Sequence, residues 1–114
     1  MKINRFEDIL SWKKAKELTI KVYKTFELHK DFGFKNQIER AAVSVMNNIA
    51  EGFERQTNNE FRQFLYIAKG SVAEVRSMLY LALDLKKIDK EKFGELYDLS
   101  EEISKLLSGL IKTL

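Results

Sequence analysis

Proline and cysteine are absent from this 114-residue chain, and it holds only five glycines and one histidine. Each gap excludes something. Sandwiches and barrels turn every few residues and use glycine and proline to do it, so this composition favours a few long helices. Without cysteine there is no disulfide framework and no thiolate metal site. A lone histidine, His29, rules out a multi-histidine metal site. No run approaches the roughly 18 consecutive apolar residues of a membrane span. The opening segment Met1–Asp8 lacks the apolar stretch of a secretory leader. The expectation is a cytoplasmic protein with no membrane association.

Apolar residues make up 45% of the chain, which is enough for one buried core and one domain over residues 1–114. Charged residues make up 32%, but their signs are mixed and the net charge is only +3, which argues against disorder. The charge is unevenly spread. Residues 1–30 carry eight Lys/Arg against four Asp/Glu, and residues 89–114 carry four against six. Such blocks either recruit an anionic partner or pair with each other inside one bundle, and the second is the simpler account.

Apolar residues recur at helical spacing in four segments, about 11–30, 34–53, 58–86 and 90–113. In the first, Trp12, Ala15, Leu18, Thr19, Val22, Tyr23 and Phe26 form a stripe with Trp12 as a core anchor. Asp31-Phe32-Gly33 interrupts it, with Gly33 suited to a C-cap or turn. Phe34, Ile38, Ala42, Val45, Ile49 and Phe53 mark the second. The third opens on a capping box, Thr57-Asn58-Asn59-Glu60. Its apolar positions, which include Phe64, Ile67 and Leu85, span an arc of roughly 160–200°. That is wide for one core and implies a central position or a second buried surface. The fourth starts at Asp89 as N-cap. Linkers this short make neighbours antiparallel, so the expected fold is all-α, an antiparallel up-and-down four-helix bundle.

Two polar constellations stand out. Gln37, Arg40, Ser44, Asn48, Glu51 and Arg55 lie within roughly 80° on the second helix, followed by Gly52 near its end. Ser, Asn and Gln are poor helix formers, so the ridge reads as a hydrogen-bonded seam or interface; a plain solvated face is the alternative. On the third helix Arg62, Tyr66, Lys69, Arg76 and Tyr80 share a side. Cations interleaved with aromatics suit phosphates and unpaired bases, while Arg–Tyr packing on an exposed face explains them equally. Lys13, Lys14, Lys21 and Lys24 on the first helix either extend that patch or are merely solvated. Gly70-Ser71 interrupts the third helix at a cost of roughly 1 kcal/mol, as expected for close backbone approach. Glu74, one turn on, is placed to accept from the polar ridge. His29 has no base or nucleophile beside it in sequence, and the Glu-x-x-His pairs of a carboxylate metal bundle are missing. No enzyme activity, metal or cofactor is expected.

The block Gln37-Ile38-Glu39-Arg40-Ala41-Ala42-Val43-Ser44-Val45-Met46-Asn47-Asn48-Ile49-Ala50-Glu51-Gly52-Phe53-Glu54-Arg55 resembles the signature of the four-helix bundle proteins encoded in 23S ribosomal RNA intervening sequences. Phe6-Glu7-Asp8-Ile9, Trp12-Lys13-Lys14-Ala15, Phe64–Ser71 with Glu74, and Gly109-Leu110-Ile111 match as well. The resemblance implies an up-and-down bundle, a homopentameric ring and a basic surface. A related group, the accessory proteins of diversity-generating retroelements, pairs with a reverse transcriptase and binds nucleic acid. Met46 and Asn47 stand where the family often has proline and serine, which implies a straighter second helix. The functional expectation is a non-enzymatic homo-oligomer that binds RNA or DNA. The alternative is an adaptor that docks onto a protein partner such as a reverse transcriptase or ribosomal component.

Overall fold

The computed structural model describes residues 2–114, and these form helices and short connections with no strand among them. A 3-10 turn at Phe6–Asp8 leads into α1 (Leu10–Thr25), α2 (Phe32–Phe53), α3 (Asn58–Asp84) and α4 (Lys90–Lys112). Each helix packs on the next, and α4 closes back on α1. The result is an up-and-down four-helix bundle of 43 × 22 × 19 Å in which α1 lies diagonal to α3.

The core follows the helical period. Leu18, Val22 and Phe26, then Ile38, Val45 and Ile49, then Leu65, Val72 and Leu79, then Leu96, Ile103 and Leu107 are fully buried. Burying such side chains contributes about 1.5–3 kcal/mol each before chain entropy is counted. The Thr19 hydroxyl sits 2.8 Å from the Ala15 carbonyl and 3.1 Å from that of Ala42, which ties α1 to α2 where a small residue lets them approach. α2 runs unbroken through Met46.

The helix ends depart from expectation in instructive ways. α1 stops at Thr25, not near residue 30, because its apolar face is exhausted at Phe26 and Leu28 stands 89% exposed. Gly33 is no C-cap: it lies in the first turn of α2, and Asp31 is the N-cap, accepting from the Phe34 amide at 3.2 Å. That bond, then Lys87, holds the Asp31 carboxyl below its usual range. His29 lies beyond α1, and its Nε2–H donates to the Lys87 carbonyl at 2.9 Å. Thr57 caps α3 through its hydroxyl, which in turn donates to the Glu60 carboxylate; Glu60 therefore reaches the hydroxyl, not the Thr57 amide. Trp12 is only half-buried and meets Phe6 edge-on at 5.2 Å between centroids, and Tyr23 is exposed.

α3 ends in a Schellman motif. The amides of Lys86 and Lys87 donate to the carbonyls of Leu83 and Ala82, with Lys86 at φ 59°. A lysine in the left-handed region costs about 1–2 kcal/mol that glycine does not. Lys86→Gly is therefore expected to stabilise the fold by roughly 1 kcal/mol, read as a higher urea midpoint with an unchanged m-value.

Candidate nucleic-acid interface

The basic–aromatic side of α3 faces α4, not solvent alone. Arg62 donates to the Asn59 side chain and to the backbone oxygen of Leu114. Lys69 donates to Ser108 at 2.8 Å, and Arg76 pairs with Glu101 at 4.0 Å. Tyr80 packs on Phe93 and Tyr97, with ring centroids 5.1 and 5.5 Å away. Tyr66 stays exposed. These cations are therefore occupied by the α3–α4 seam, which favours the intrachain account of the pattern.

The ridge of α2 likewise forms a seam, with α3. Ser44 and Ser71 hydroxyls meet at 2.8 Å, and the Asn48 amide donates to the Ser44 carbonyl and hydroxyl. Gln37 donates to Glu74 at 3.4 Å. Arg55 lies over the Phe64 ring at 4.8 Å, while Arg40 and Glu51 remain exposed on the outer edge. Close backbone approach occurs at Gly52, where a Cβ would stand 2.5 Å from that of Phe64. It does not occur at Gly70: a Cβ there meets nothing within 4 Å.

The lysines of α1 separate into two groups. Lys14 turns to α4 and lies 3.6 Å from Glu102. Lys13, Lys21 and Lys24 line a groove of about 840 Å³ between α1 and the start of α4. Lys16, Lys87 and Lys92 join them, so six lysines stand against Glu17, Asp89 and Glu95. Ile20 and Ile88 supply its apolar lining. Glu95 clasps the two helices, accepting from Lys21 at 2.7 Å and Lys92 at 2.9 Å. Those bonds pull its pKa down to about 2, so it stays charged near neutrality, and Glu95 raises that of Lys21 in return. Among the described residues no carboxylate lies within ion-pair distance of Lys13, Lys16 or Lys24. These three amines are available to an anion. Lys16 continued the α1 pattern in sequence, whereas Lys87 and Lys92 reach the groove only through the closure of α4 onto α1.

Residues 7–109 match the family described as 23S rRNA-intervening sequence protein. The chain belongs to that family. Its fold is similar to a crystal structure of a protein of unknown function from the S23 ribosomal protein family of Bacteroides thetaiotaomicron. The two share 29% identity and a TM-score of 0.85 over 90% of this chain and 99% of that one. No curated protein matches the chain. In this 23S rRNA-intervening sequence protein, the α1/α4 groove gathers six lysines against three carboxylates. Among the described residues no helix is long and apolar enough to cross a membrane.

Proposed function

We propose that this chain is a non-enzymatic nucleic-acid-binding bundle, and that RNA phosphates lie in the α1/α4 groove. One observation carries the reading: Lys13, Lys16 and Lys24 line that groove without carboxylate partners among the described residues. A family described by its link to 23S rRNA supports the choice of RNA. No aromatic ring lines the groove, so it grips backbone and does not stack bases. Binding is then sequence-tolerant and steeply salt-dependent.

Fluorescence anisotropy with a labelled structured RNA at low and moderate salt tests this. Lys16→Glu with Lys24→Glu is expected to weaken binding by roughly 10–100-fold, since two phosphate contacts become repulsions. Glu95→Gln, which removes one of the three groove carboxylates, is expected to tighten it severalfold. Equal affinity for the wild type and the double variant, or no binding even at low salt, overturns the proposal.

A second reading rests on the outer face of α4, where Asp98 lies with Glu101, Glu102, Lys105 and Leu106, although Glu101 and Glu102 also pair with Arg76 and Lys14. That acidic surface suits a basic segment of a protein partner, as an adaptor would need. It calls for co-purification that survives nuclease and is lost on Asp98→Lys.

A further inference from the structure

The α1/α4 groove holds more than a phosphate track requires. Its three carboxylates are already committed. Glu95 takes Lys21 and Lys92, the Asp89 side chain accepts from the Lys92 amide at 2.8 Å, and Glu17 lies 4.0 Å from Lys14. Lys87 is engaged by Asp31. Lys16 lies 5.7 Å from the Trp12 ring centroid, a contact that leaves its charge unneutralised. An apolar pair stands among these amines. Ile20 is one turn from both Lys16 and Lys24 and is 45% exposed, and Ile88 lines the groove from the α3–α4 connection. A sugar–phosphate backbone is polar along its length and leaves an exposed isoleucine uncovered. The connection bounds the groove where α1 ends, and it is fixed there by the His29 bond to the Lys87 carbonyl and by the Asp31–Lys87 ion pair. The enclosed volume of about 840 Å³ is that of a small-molecule site.

We infer that the groove also takes a nucleoside polyphosphate, which competes with RNA for the same lysines; the competition rests on the RNA reading of the groove, and the nucleotide site does not. The base and ribose cover Ile20 and Ile88, and the phosphates meet Lys13, Lys16 and Lys24. Ile20 and Lys13 are roughly 10 Å apart along α1 at 1.5 Å per residue, and a lysine side chain reaches back over much of that distance. Three free amines suit the few clustered charges of a di- or triphosphate, whereas the charges of a polymer continue past both ends of the groove. No aromatic ring lines the site, so the base is held by methyl contact and one purine is as good as another. A nucleotide that fills the groove removes the amines on which RNA phosphates depend, which makes the bundle's grip on RNA responsive to the nucleotide concentration around it.

Isothermal titration of the full chain with ATP, GTP, adenosine and inorganic tripolyphosphate at low salt tests the inference. ATP and GTP are expected to bind alike, tripolyphosphate roughly tenfold more weakly for want of the apolar contact, and adenosine not measurably. Ile20→Asn, at an exposed position that the fold does not need, is expected to bring ATP down to the affinity of tripolyphosphate and to leave tripolyphosphate unchanged. Lys16→Glu with Lys24→Glu is expected to abolish both. In the anisotropy assay ATP is expected to release labelled RNA over the range in which it saturates the groove. No ATP binding at millimolar concentration, equal binding of ATP and tripolyphosphate by the wild type, ATP binding that survives the lysine variant, or RNA that stays bound under saturating ATP overturns the inference. RNA binding without ATP binding overturns it and leaves the RNA reading standing; ATP binding without RNA binding does the reverse.

Discussion

Gly52→Ala is expected to destabilise the bundle by about 2–3 kcal/mol, and Gly70→Ala to stabilise it by about 1 kcal/mol. Both glycines lie within helices, so both substitutions carry the same gain in helix propensity. The surroundings set the sign. A Cβ on Gly52 falls 2.5 Å from Phe64 Cβ and 3.0 Å from Phe61 Cδ1. The first is close to the α3 backbone and cannot swing away, so α2 and α3 must separate. Separation strains the Ser44–Ser71 hydrogen bond and the Arg55–Phe64 contact in the same seam. A Cβ on Gly70 stands in open space. Urea unfolding measures both. Two shifts of the same sign would show that the α2–α3 spacing is not set by Gly52.

Phe26→Ala is expected to cost about 3–5 kcal/mol, the largest single effect of these substitutions. Phe26 is fully buried at the end of α1, its ring 5.4 Å from Phe34 and 5.1 Å from His29. It joins three segments: the end of α1, the start of α2, and the α3–α4 connection that His29 reaches through the Lys87 carbonyl. Lys87 lies over the Phe34 ring and pairs with Asp31 at 3.1 Å, so the polar links stand on the aromatic cluster. Deleting the ring leaves a cavity beneath all of them. Hydrogen exchange is expected to show loss of protection first at residues 26–34 and 85–89. A thermal midpoint within a degree or two of wild type would mean that the corner collapses to fill the space.

The bundle was legible because its core obeys one period. Ile38, Val45 and Ile49, or Leu65, Val72 and Leu79, are buried where helical spacing places them. The caps at Thr57 and Asp89 were legible because their chemistry is local. The two glycines were harder. Gly70 sits in mid-helix and reads as a packing glycine; Gly52 sits near a helix end and reads as a terminator. Their real environments are the reverse, since both depend on which neighbour lies opposite. The wide arc of α3 splits for the same reason: Leu65 and Val75 are core, Phe64 packs on α2, and Ile67 is left outside. The Arg62, Lys69 and Arg76 side was visible as a pattern, but its partners Leu114, Ser108 and Glu101 lie 25–52 residues away. The groove shows the same limit, for Lys87 and Lys92 meet the α1 lysines only in three dimensions.

The diagonal placement of α1 and α3 leaves α4 bordering both basic patterns of the sequence. One flank of α4 holds Arg62, Lys69 and Arg76 in the seam with α3, and the other faces the lysines of α1 across the groove. A small tilt of α4 toward one neighbour would therefore loosen its contacts with the other, so the two basic regions share one mechanical support.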